Sequence, residues 1–194
     1  MKLKFLLIAA TAAVALASAK NASAQDNSGP IPEALIGAKI DTRTDAAALA
    51  APVGALLTPM IRLWNAKWVD RFSSHEWPAN WDDLGWVIEG TIGYVSVTQF
   101  QGSHPLFNCF TGYTPGDKYP DSFTSVDPNC EGQGKSTYQP IIGWVADAQI
   151  EGTVPLYRCD TPGTLEDHFD TTSPICEGNK PGAVLNGILG YIFL

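Results

Sequence analysis

Three aspartates stand out as groups able to hold a ligand, because each opens the same local pattern: Asp70-Arg71-Phe72, Asp121-Ser122-Phe123 and Asp167-His168-Phe169. A carboxylate at such a place can bind sugar hydroxyls or calcium. It can also accept backbone N–H bonds at a turn, and its recurrence beside the same phenylalanine favours that structural role. The tryptophans form a second group. Trp64, Trp68, Trp77, Trp81 and Trp86 crowd into one stretch, and only Trp144 lies elsewhere. Trp64 and Trp68 fall in a segment of variable length, which predicts a surface loop and a platform on which a sugar or another flat ligand could stack. Trp77, Trp81 and Trp86 are expected to fill interior space.

Signatures of catalysis are absent from the sequence. It has no G-x-S-x-G nucleophile elbow and no H-E-x-x-H zinc helix. Gly132-Gln133-Gly134-Lys135-Ser136 resembles the end of a phosphate-binding loop, but Asn129 stands where that motif needs its first glycine. Glu131 and Glu177 each follow a cysteine and could form a glycosidase carboxylate pair only at a suitable separation, which spacing does not reveal. His75, His104 and His168 are the only histidines, and their placement does not suggest a joint metal cluster. No catalytic residue, metal or cofactor is expected.

What positions the aspartates is a motif that occurs three times. Pro59-Met60-Ile61-Arg62-Leu63, Pro105-Leu106-Phe107-Asn108-Cys109 and Pro155-Leu156-Tyr157-Arg158-Cys159 precede the aspartates, and Gly93-Tyr94-Val95, Gly143-Trp144-Val145 and Gly190-Tyr191-Ile192 follow them. From aspartate to the closing glycine the separations are 23, 22 and 23 residues. The cysteines keep the same register: Cys130 and Cys176 each lie seven residues after the phenylalanine, and each is followed by Glu-Gly. Four cysteines allow three pairings. The repeat favours Cys109–Cys130 and Cys159–Cys176, each closing a short loop of a kind worth about 3 kcal/mol in the chain-entropy description. In the first copy Leu63 and Ala79 occupy both cysteine positions, as expected if each bridge is internal to one copy.

Each copy reads as three strands. The proline is expected at the first position of its strand, where a missing donor is tolerated. Asp-x-Phe-x-Ser/Thr alternates like a half-buried strand, and residues 88–95, 141–145 and 188–194 are rich in β-branched and aromatic residues. The connection before the closing strand could hold a turn or a short helix. An Ala-Leu run between Asp45 and Leu57 could form another short helix. Phe72, Phe123, Phe169, Tyr94, Trp144 and Tyr191 are expected in the core. One copy cannot bury its own faces, so the predicted fold is mainly β with a threefold pseudo-repeat, either a β-trefoil-like or a similar three-lobed body. An irregular β sandwich is the alternative.

The strings P-L-Y-R, D-H-F-x-T and G-x-x-G-Y-I, clearest at residues 155–158, 167–171 and 187–192, resemble those of a repeat family of secreted proteins of unassigned function. The added Cys159 and Cys176-Glu177-Gly178 are similar to its bacterial forms. The first copy diverges, and Asn186 stands where the family has a glutamate that Glu89 retains. The resemblance spans residues 56–194. It implies a role in binding carbohydrate or a surface, and no active site.

The N-terminus places this body outside the cytoplasm. Lys2 and Lys4, an apolar run from Phe5 to Leu16, and small-residue patterns ending at Ala19 and Ala24 read as a secretory signal peptide over 1–24. Residues 25–53 are read as an arm, and 54–194 as one domain of three repeats at about 54–97, 98–147 and 148–194. The chain carries 12 basic and 20 acidic residues. Loss of three lysines with the signal leaves nine against 20, a net charge of −11. Such an acidic body repels nucleic-acid phosphates, and no membrane span is expected after export. The function expected is a secreted, non-catalytic binding module for cell-surface or cell-wall carbohydrate. The alternatives are an inhibitor of a protease or other hydrolase and a structural protein of the envelope.

Overall fold

The computed structural model describes residues 29–30, 51–77, 79–112, 120–161, 166–178 and 182–194. Residues 1–24, read above as a signal peptide, and nearly all of 25–53, read as an arm, lie outside the described residues. The protein is mainly β, as its alternating and β-branched segments predict. The strands are β1 (Gly29–Pro30), β2 (Leu57–Asn65), β3 (Asp70–Ser74), β4 (Glu76–Trp77), β5 (Trp86–Ser96), β6 (Ser103–Thr111), β7 (Asp121–Ser125), β8 (Gly134–Lys135), β9 (Ile141–Ala146), β10 (Thr153–Thr161), β11 (Asp167–Thr171) and β12 (Val184–Phe193). Ten of them form one open antiparallel sheet, while β1 pairs with β4.

Three strand triplets account for most of the pairing. β2 pairs with β3 and β5, β6 with β7 and β9, and β10 with β11 and β12. In each, the register of the long pair shifts just after the residue that follows the proline, at Met60/Ile61, Leu106/Phe107 and Leu156/Tyr157. Such bulges bend a strand and increase its twist. The triplets join through single bridges: Tyr94 to Phe193, Ser96 to Trp144, and Ala146 to Tyr191.

Two local expectations are corrected. Pro59, Pro105 and Pro155 sit two residues inside their strands, opposite Tyr94, Trp144 and Tyr191. They are tolerated because the other neighbour begins to pair only at Ile61, Phe107 and Tyr157, so no partner there is deprived of a donor. The Ala-Leu run does not continue as a helix: residues 51–56 form turns and irregular chain, and Leu57 opens β2. Residues 45–50 lie outside the described residues. The short helix allowed for in the later connection is a single 3-10 turn, Cys130–Gly132.

The main core draws on the repeated motif positions. Met60, Leu106 and Leu156 meet Val95, Val145 and Ile192, all fully buried, together with Ile142 and Leu189. Cys109–Cys130 and Cys159–Cys176 are bonded as the register predicts. Each disulfide packs with its own phenylalanine, Phe123 or Phe169. In the first triplet Leu63 and Phe72 pack with Ile61 and Trp86, and Trp68, Trp77 and Trp81 close around them. Aromatic area there replaces a covalent clamp.

Candidate functional site

The three aspartates converge. One carboxylate oxygen from each of Asp70, Asp121 and Asp167 lies within 4.8 Å of the others. Each opens the middle strand of its triplet, so the meeting of β3, β7 and β11 brings them together. Each is bonded by a residue of a neighbouring triplet. Asp70 accepts bonds from the Ser122 backbone N–H at 2.9 Å and the Ser122 hydroxyl at 3.0 Å. Asp121 takes the His168 N–H at 3.2 Å and pairs with its Nδ1 at 2.6 Å. Asp167 is paired with the Arg71 guanidinium. In each case one donor is the residue just after an aspartate of another triplet, and Asp121 also accepts from the Thr111 hydroxyl of its own triplet at 3.3 Å, so no aspartate serves merely its own turn.

The electrostatics differ around this ring. Burial and the charges of Asp121 and Asp167 hold the Asp70 carboxyl well above the usual range, despite the Ser122 bonds that pull it down. Burial lowers His168, yet its bond to Asp121 and that residue's charge outweigh it, and the net shift is upward. A carboxyl with a raised folded-state pKa favours the folded state below its unfolded value of about 4, and that contribution is lost as pH rises through the folded value. Asp70→Asn is therefore expected to gain stability relative to the parent protein as pH rises from about 4. Urea unfolding of both proteins across pH 4–8 measures this. A difference that stays constant with pH would show that Asp70 titrates normally.

Two arginines extend the same cross-triplet scheme. Arg62 binds Glu89 of its own triplet and Glu177 of the third, each at 2.6 Å. Arg158 binds Asn186 of its own triplet at 2.7 Å and Glu131 of the second at 2.7 Å. The Arg158 bond lowers the Glu131 carboxyl, against a smaller upward push from burial. Glu131 and Glu177 are thus held as arginine anchors, and for Glu131 the arrangement favours the ionised carboxylate over a general acid.

The tryptophans are placed differently from expectation. Trp64 lies within β2 rather than in a loop, because the strand runs two residues past the disulfide position. The Arg71 guanidinium covers one face of its ring, 4.2 Å from the centroid. Trp68 is in the β2–β3 turn and faces inward, edge-on to Trp86 at 5.6 Å. It lines a cavity of about 240 Å³ together with Phe72, Trp81, Trp86 and, from the second triplet, Tyr138. Trp81 stacks on Trp86 at 5.1 Å and lies 5.5 Å from Tyr138. Asp70, Ser122 and Ser136 supply polar groups to this cleft. Of the proposed ligand residues, Trp68 and Asp70 share the cleft, Asp121 and Asp167 belong to the aspartate ring, and Trp64 stands apart. The cluster at Trp64–Trp86 was the sequence sign of the cleft; Tyr138, from a separate triplet, carried none.

The histidines do not share a site. His75 contacts the Ile142 carbonyl, His104 pairs with Asp147 at 2.6 Å and His168 with Asp121. His168 does meet two acids that the sequence reading passed over, Asp160 and Glu166. No helix among the described residues is long and apolar enough to cross a membrane. No protein-family model matches the chain, and no curated protein or solved structure matches it.

Proposed function

We propose that this protein is an exported, non-catalytic binding module whose aromatic cleft takes one sugar ring of a cell-surface or cell-wall polysaccharide. The observation that carries this reading is the cleft itself: tryptophan and tyrosine rings from two triplets facing a cavity of about 240 Å³, with Ser122 and Ser136 at its polar wall. A pyranose presents C–H faces suited to aromatic rings and hydroxyls able to donate to the oxygens of Ser122 and Ser136, whose own protons go to Asp70 and the Tyr138 carbonyl. Ligand sites are commonly apolar clefts with a few placed polar groups, and this volume suits a single ring. The two disulfides suit an oxidising compartment. In the same reading the three triplets are copies of one unit around a shared axis, supported by their common pairing pattern and by the motif order that resembles the secreted repeat family.

Titrating the protein with glycans and cell-wall polysaccharides while following tryptophan fluorescence tests this function. A specific ligand should quench emission, and Trp68→Ala and Trp81→Ala should each weaken its affinity about fivefold, since an aromatic contact is worth roughly 1 kcal/mol. Trp64→Ala should leave affinity unchanged. Saturable binding that survives both cleft substitutions would overturn the cleft as its site. Absence of any glycan binding by the folded protein would favour the tryptophans as pure core and a protein as partner.

A further inference from the structure

The hairpin of β10 and β11 carries a second constellation, separate from the cleft. Asp160 and His168 are direct partners across the two strands, a placement that sets side chains on one face about 5 Å apart. Glu166 immediately precedes β11. Each of the three offers a ligand atom, and the three atoms lie within 4.8 Å of one another.

Two features point to an occupant. Asp160 is only 9% exposed, and its Oδ1 has no hydrogen-bond partner. A buried carboxylate oxygen without a partner is costly and calls for a cation or a donor. His168 is already oriented by Asp121, which holds Nδ1 at 2.6 Å and so leaves Nε2 as the ring atom available to a ligand. A carboxylate behind the far nitrogen of a metal-binding histidine fixes both its tautomer and its direction.

We propose that Asp160, Glu166 and His168 form a binding site for a divalent transition metal, with zinc as the best match. One imidazole nitrogen and two carboxylates are a donor set that zinc accepts, with solvent as fourth ligand. Calcium and magnesium prefer all-oxygen shells. Zinc bonds of about 2.0–2.2 Å put tetrahedral ligand atoms roughly 3.4 Å apart, so the donors need to close by about an ångström. Glu166, the exposed member, is the side chain free to make that movement. Asp160 and His168 stay on the strands, and Asp121 acts as the positioning residue behind the ring. The metal would tie the β10–β11 hairpin together beyond the Cys159–Cys176 bridge.

Calorimetric titration of the metal-free, disulfide-bonded chain with zinc chloride tests the site, with cobalt(II) absorption as a report on geometry. One equivalent is expected to bind, with cobalt bands of a four-coordinate site. Asp160→Asn should weaken binding at least 100-fold and Glu166→Gln at least tenfold, each with an unchanged circular dichroism spectrum. Asp121→Asn should cost 10–100-fold, the range found for such outer partners. His104→Gln should have no effect. The proposal is overturned if the folded chain takes up no zinc, if Asp160→Asn and Glu166→Gln bind as tightly as the parent, or if His104→Gln removes the binding.

Discussion

Replacing Arg71 with alanine is expected to destabilise the protein by about 3–5 kcal/mol, the usual cost of removing one partner from a buried ion pair. Arg71 pairs with Asp167, whose side chain is 2% exposed, and reaches Glu89 Oε2 from Nε at 3.0 Å. Its guanidinium also lies over the Trp64 ring at 4.2 Å. Alanine strips Asp167 of that charge while Asp70 and Asp121 remain close by, so three clustered carboxylates would lose a cation that faces them. Lysine is a poor substitute, because a single ammonium cannot present the planar fork that spans two carboxylates. Urea unfolding at neutral pH measures the loss. A value under 1 kcal/mol would mean that solvent screens the pair as it does on an open surface. The arginine would then be a surface ornament on the aspartate ring.

Gly93→Ala is expected to cost about 3 kcal/mol, the upper range for forcing an extra methyl into a packed interior. A Cβ built at Gly93 would stand 2.6 Å from the Phe193 carbonyl oxygen and 3.2 Å from Ile192 Cδ1. The first of these is backbone at the end of β12, so no rotamer change relieves it. Gly190 is equally confined, with Val145 Cγ2 at 2.5 Å. Gly90 lies in the same strand as Gly93, and a Cβ there meets nothing within 4 Å. Gly90→Ala should therefore leave stability within about 0.5 kcal/mol of the parent. Thermal unfolding of the two alanine variants side by side separates the effect of close approach from that of strand propensity. Equal melting temperatures would show that the strands can part at Gly93 without cost.

Much of the fold was legible because its determinants are local and recur. Pro-x-apolar, Asp-x-Phe and Gly-aromatic-Val/Ile gave strand positions, the buried rings of Phe72, Phe123, Phe169 and Tyr94, and both disulfides, while Trp144 and Tyr191, also expected inside, are only partly buried. Trp64 was misread because a length difference was assigned to it, whereas the added residues fall after β2 and its counterparts end. The partners of the aspartates were hidden for a different reason. Arg71 finds Asp167, Ser122 finds Asp70, and His168 finds Asp121 only when triplets pack, and no spacing within one triplet encodes its neighbour. The same holds for Tyr138 in the cleft. Asp160 lay outside the motif, and its link to His168 depends on the hairpin register.

The reach of these pairings also bears on when the protein can fold. Arg71 and Asp167 are 96 residues apart, and Arg62 and Glu177 are 115 apart. Translation delivers both arginines, and soon after them Glu89, long before Asp167 and Glu177. At about 5–20 residues per second, the first triplet waits roughly 5–20 s with Glu89 as the acid shared by both arginines and its tryptophans incompletely covered. Contacts of such long range form late and slowly. A nascent chain stopped before residue 167 should remain open, sticky and sensitive to protease. Completion of the last hairpin is then the event that closes the whole body.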